Sequence, residues 1–139
     1  MTPTTALYDV LAADATLAAL LPGGVWRGVA EISRQLAPAA FDALTKELRT
    51  CALVKAESET DAGPKRIAGA QLVGVWVYDR TSDTRVEEAL ARIHELLHRR
   101  PLGNGMWEVS RRGATWGWRD EALAAQGGVV RYEVHIYRG

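Results

Sequence analysis

The stretch from Ile67 to Asp79 constrains the fold more than any other part of the chain. Val73, Val75 and Val77 alternate there with Leu72, Trp76 and Tyr78. Successive side chains of an extended chain point to opposite faces, so both faces of this strand are apolar. Helices can cover one face of the sheet that holds it, but a chain of 139 residues scarcely has enough of them for both. The second face must therefore meet a further layer or another subunit.

The flanking segments supply the rest of the sheet and its helices. Thr2-Pro3 places an N-cap before a proline at the first helical position, and Leu7, Val10 and Leu11 follow at helical spacing. Asp14 can cap a continuation through Leu17, Leu20 and Leu21, until Pro22-Gly23-Gly24 ends it. This predicts helix over residues 4–21, with Asp14 as the place for a bend. Residues 22–48 read as mostly irregular, apart from a short extended piece suggested by Val25, Trp26 and Val29. Cys51, Leu53 and Val54 open a strand that runs to about Glu57, and the polar stretch Ser58 to Arg66, with Gly63-Pro64 inside it, reads as a long exposed hairpin loop.

Residues 84–99 carry the clearest helical pattern. Thr84-Arg85-Val86-Glu87 has the form of a capping box, Val86, Leu90, Ile93 and Leu97 recur at steps of three or four, and Glu88-Arg92 and Glu95-Arg99 are favourable pairs four apart. Pro101 and Gly103 stop the helix. A strand follows at Met106 to Ser110, then a connection containing glycine and tryptophan, then a half-exposed strand from Val129 to Tyr137. The expected fold is α+β, an antiparallel β-sheet of about four strands backed by two α-helices, with a long hairpin loop at 58–66, all in one domain spanning 1–139.

Composition narrows the function. Seventeen basic side chains balance seventeen acidic ones, which removes the signature of a protein that gains affinity by displacing counterions from a polyphosphate. The single cysteine, Cys51, has no partner for a disulfide and reads as a small buried hydrophobe in a reducing compartment. No apolar run approaches the roughly 20 residues needed to cross a bilayer, and the first residues lack a basic stretch ahead of an apolar one, so no membrane contact is expected and the chain is read as cytosolic at synthesis.

Two constellations carry possible chemistry. His94-Glu95-Leu96-Leu97-His98 matches H-E-x-x-H on the best-defined helix, the spacing that sets two imidazoles and a glutamate around zinc in metalloproteases. With Val86 at zero on a helical wheel, however, His94 and His98 fall at roughly 80 and 120 degrees and Glu95 near 180. A third ligand of the extended motif is also missing, since Pro101 and Asn104 stand where glycine and histidine are required. The two histidines are therefore read as solvated residues on the flank of the helix. The second constellation is Arg99, Arg100, Arg111, Arg112 and Arg119 interleaved with Trp107, Trp116 and Trp118. Arginine and tryptophan are enriched in interface hot spots, and with a net charge of zero a protein partner is favoured over nucleic acid. No glycine-rich phosphate loop and no Gly-x-Ser-x-Gly elbow occurs, and Asp79 reads as the end of its strand.

Several segments together resemble a known family. Leu20-Leu21-Pro22-Gly23-Gly24 after a short N-terminal helix, Ala40-Phe41-Asp42-Ala43 leading into Cys51-Ala52-Leu53-Val54, the strand Val73-Gly74-Val75-Trp76-Val77-Tyr78 and the helix Val86 to Leu97 directly after it are similar to the tail terminator proteins of long-tailed bacteriophages, also called tail-completion or head–tail joining proteins. The resemblance covers nearly the whole chain and rests on pattern. It implies a non-enzymatic virion protein without cofactor, made in the host cytoplasm, that assembles as a homo-oligomeric ring, usually a hexamer, at the head-proximal end of the tail. Such a ring ends polymerisation of the tail tube protein and offers a surface to the neck or head-completion protein, while DNA passes through its channel without specific binding. A neck connector is the alternative from the same assembly, and a zinc hydrolase built on His94, Glu95 and His98 is the alternative from another class. The interface candidates are Lys65 and Arg66 on the hairpin, Leu72, Trp76 and Tyr78 on the second apolar face, and Trp107, Arg111, Arg112, Trp116, Trp118 and Arg119 in the basic-aromatic segment.

Overall fold

The computed structural model describes residues 2–62, 68–103 and 106–137, with backbone alone at 58–62, 68, 106–108, 116 and 137. The first helical segment is two helices, α1 (Pro3–Ala12) and α2 (Ala15–Leu20). Thr2 caps α1 by accepting from Thr5 N, and Asp14 caps α2 by accepting from Leu17 N. The bend expected at Asp14 is thus a full break, because an aspartate carboxylate that serves as cap forces its own backbone out of the helical region. The chain continues through β1 (Val25–Trp26), a 3-10 turn at Pro38–Ala40, β2 (Cys51–Ala62), β3 (Ala68–Asp79), α3 (Asp83–Leu97), β4 (Met106–Asp120) and β5 (Ala125–Tyr137).

The class is α+β. The sheet has five strands in the order β1-β2-β3-β5-β4 among the described residues, one more than expected, because Val25 and Trp26 pair in parallel with Ala52 and Leu53. All other pairings are antiparallel. Two expectations about loops are corrected. Residues 58–62 are strand, paired from Ser58↔Leu72 to Ala62↔Ala68, which replaces that part of the hairpin loop expected at 58–66, and the rest of the expected loop lies outside the described residues. Polar side chains there signalled an exposed ribbon, and backbone pairing does not require apolar side chains. The glycine- and tryptophan-containing connection after Ser110 is likewise the continuation of β4, with the register slipping between Arg111 and Gly113 and again between Thr115 and Trp118. Such bulges break the period of two from which a strand is recognised, and Gly117, at φ 67°, supplies the left-handed backbone that one of them needs.

Helix α3 starts at the Ser82 cap, whose side chain accepts from Arg85 N, and not at Thr84, so the expected capping box does not form. Its ion pairs also differ from the expected ones. Arg92 turns away from Glu88 to donate to Asp14 from Nε and Nη2, at 2.9 and 2.7 Å, and pairs with Glu95 through Nη1 at 3.0 Å. The bidentate contact ties α3 to the start of α2, a fork geometry that one lysine could not provide.

The helices cover one face of the sheet. Leu7, Leu11 and Leu17 meet Val86, Leu90, Ile93 and Leu97 over Ala52, Val54, Val73, Val75, Val77, Val130, Tyr132 and Val134. Each large side chain of this set contributes roughly 1.5–3 kcal/mol by leaving water. The other face is covered over part of its length by the chain's own irregular segment. Ile32, Ala37, Ala40, Phe41 and Leu48 pack on Cys51, Leu53, Tyr78 and Ala125, with Trp26, Trp76, Trp118 and Leu123 at the margin. Segment 27–50 is thus the further layer that the two-faced strand demanded. An antiparallel bridge between Phe41 and Leu48 and backbone bonds Asp42 N to Glu47 O and Arg49 N to Ala40 O hold it in place without regular structure.

Candidate assembly surfaces

The face of the sheet opposite α3 divides into two parts. Toward one end, Tyr78 is buried under the irregular layer and Trp118 meets Trp76 and Tyr78 edge-on, with ring centroids 5.7 and 5.6 Å apart. This arrangement depends on Gly127, which lies opposite Trp118 in the β4–β5 register, since a Cβ there would fall inside the indole. Toward the other end the same face turns polar. Arg131 lies over the Trp76 ring at 5.6 Å and pairs with Glu57 at 2.8 Å, while Arg112 pairs with Glu133 at 3.3 Å. Trp76 stands at the boundary, half buried, with its indole N–H shielded and without a hydrogen-bond partner among the described residues. Leu72 is also half buried on this polar end.

The described arginines of the basic-aromatic segment do not all share one face. The pleat and the bulge between Arg111 and Gly113 send neighbours to different faces. Arg111 stands on the helix side, close enough to His94 to depress its pKa, whereas Arg112 is on the opposite side with Glu133. Arg119 pairs with Glu121 at 3.6 Å, and Arg100 donates to the carbonyl of Leu96 at the end of α3. The side chains of Trp107 and Trp116, and Lys65 and Arg66 altogether, lie outside the described residues.

Of the H-E-x-x-H residues, His94 and His98 lie together, their ring centroids 4.8 Å apart, while the glutamate turns away. Glu95 is held by Arg92 on the solvent side. His98 is exposed, but His94 is half buried against Tyr132, whose hydroxyl lies 3.4 Å from Nδ1, which corrects the reading of both histidines as solvated. Burial lowers the His94 pKa, and the neighbouring His98 and Arg111 lower it further. Among the described residues no three His, Cys, Asp or Glu side chains converge to hold a metal ion. Cys51 is buried and its thiol is pushed up to about 12, mainly by desolvation, so it is inert. Asp79 ends β3 as expected. It is 3% exposed, accepts from Thr81 N and Ser82 N, and takes the Thr50 hydroxyl, which fixes the turn into α3.

Tyr8, Trp26, Arg27 and Arg49 line a cleft of about 620 Å³ between α1 and the loop after α2. Gly23 lets that loop run directly along the backbone of Arg49 and Thr50, where a Cβ would meet both carbonyls at 2.8 Å. These four residues come from three separate stretches with no shared periodicity, so no local signal joins them.

No described protein family matches the sequence, and no curated protein matches it. Among solved structures, a chain from the "Virion of native gene transfer agent (GTA) particle" superposes with a TM-score of 0.74 at 19% identity, over 97% of this chain and 94% of that one. At that identity the likeness is one of fold, and it extends over nearly the full length of both chains.

Proposed function

We propose that the chain is a structural virion protein of a tailed phage or phage-like particle, acting without catalysis as a tail terminator. The observation that carries this reading is the likeness, over nearly its whole length, to a chain of a gene transfer agent virion. The resemblance of Leu20 to Gly24, Ala40 to Val54 and Val73 to Leu97 to tail terminators supports the finer assignment. Copies join into a ring, six being the number that the resemblance implies, with the tail tube protein on one side and the neck on the other. The polar end of the sheet around Glu57, Arg112, Arg131 and Glu133 is a surface that a partner can meet without a large apolar patch being exposed beforehand. Mass photometry of the purified chain, alone and with tail tubes, tests the reading. Closed rings of uniform size seated at one end of the tubes are expected, and a strictly monomeric chain that leaves tube length unchanged sinks it.

A further inference from the structure

The charges of this chain balance in number but not in place. Arg27 and Arg49 are exposed in the cleft beside β1, and among the described residues neither has a carboxylate within ion-pair distance. Arg27 is already ordered by stacking on Tyr8, its guanidinium carbon 5.1 Å from the ring centroid. The Trp26 indole that walls the cleft is tied to the Gly23 carbonyl at 2.8 Å. Asp42, which feels the charge of Arg49 only weakly, has its carboxylate engaged by the N–H groups of Leu44 and Thr45. The cleft is therefore a doubly cationic recess in which Arg27 and Trp26 are already held and neither arginine is ion-paired among the described residues.

The complementary charge stands on the opposite flank of the same molecule. Asp83 and Glu87 lie one turn apart on α3, both exposed and with no ion pair among the described residues. They share a helical stripe with His94, which touches Tyr132 and feels Arg111, so the stripe looks toward β4, whereas Arg92 marks the side that looks toward α2. Helix α1 packs over β1, β2 and β3, and α3 over β3, β5 and β4. The arginine cleft and the acidic stripe thus occupy opposite lateral edges of the helical layer. Two complementary surfaces on opposite edges are what a head-to-tail contact between identical subunits requires.

We infer that the Tyr8–Trp26–Arg27–Arg49 cleft of one copy receives the Asp83–Glu87 stripe of the next, and that this contact joins the subunits. Nucleic acid fits the cleft less well. Two guanidiniums neutralise too few phosphates for useful affinity, and the Tyr8 ring is already taken by Arg27. The inference rests on the ring reading above, and charge reversal separates the two. The double variants Arg27→Glu/Arg49→Glu and Asp83→Arg/Glu87→Arg each raise the concentration needed for assembly by about tenfold or more. The quadruple variant, with both surfaces reversed, assembles like the unchanged chain, and added salt weakens assembly. Thermal melting of each variant, with a transition close to that of the unchanged chain, shows that the fold survives. If every variant assembles normally, the cleft contact is overturned and the ring stands. If the unchanged chain never assembles, the ring reading and this contact fall together. If the cleft variant assembles normally but loses retardation of a 20-base-pair DNA duplex at low salt, the recess serves phosphate and the inference is overturned.

Discussion

Asp14 illustrates how much one side chain can decide. It caps α2, starts the break from α1 and holds Arg92 of α3. The Arg92 contact and the Leu17 N–H keep its carboxyl below the usual 3.8. A carboxylate with a depressed folded pKa contributes stability that is present above its unfolded value and is lost as pH falls through the folded one. Asp14→Asn retains a capping oxygen but loses the charge, so its urea midpoint should lie below that of the unchanged chain at neutral pH and converge with it in acid. His94 acts in the same sense for a different reason. Its folded pKa is lowered from 6.5 by burial, so the unfolded chain binds the proton more readily and stability falls as pH drops below about 6.5. His94→Gln should flatten that part of the pH profile. An unchanged profile would show that burial of His94 does not shape it.

At the scale of elements, β4 and β5 depend on glycines that admit large neighbours. Gly127→Val should expel Trp118 from its place beside Trp76 and Tyr78 and cost about 2 kcal/mol by overpacking. The near-ultraviolet circular dichroism of the tryptophan cluster should fall with it. Combined with Trp118→Ala, the second change should cost much less than it does alone, because both act on the same contact. Additive losses would rule this coupling out. Helix α3 and the inner face of β3 were legible in advance because Val86, Leu90, Ile93 and Leu97, and Val73, Val75 and Val77, repeat at the period of their own geometry. The far half of β4 was not legible, since two register slips within ten residues erase its alternation. The ribbon at 58–62 was missed for a related reason, as its pairing is made by backbone groups that leave no trace in the side chains.

At the scale of the whole molecule, segment 27–50 replaces the regular second layer that the chain is too short to build. Phe41→Ala removes its central anchor and should cost about 3 kcal/mol in urea unfolding. Trp76→Ala should cost less than the roughly 3–5 of a fully buried tryptophan, because the ring is half exposed, and its further effect should appear as weakened assembly. Equal stability loss without any change in assembly would remove Trp76 from the interface. Of the residues expected to meet partners, Arg111 and Arg112 are separated by the sheet itself, a division that sequence adjacency hides. The cleft of Tyr8, Arg27 and Arg49 is the converse case, in which distant residues become neighbours.

The amino-acid sequence by itself determined the helices, the caps at Thr2 and Asp14, the two-faced strand β3 and the need for something to cover it, because each follows from side-chain periodicity and local hydrogen bonding within a few residues. The tertiary structure alone decided what the cover is, how far β2 and β4 extend, and which charges stand without partners. Those outcomes depend on contacts between segments tens of residues apart, where packing and backbone pairing select one arrangement among many that the local pattern allows equally.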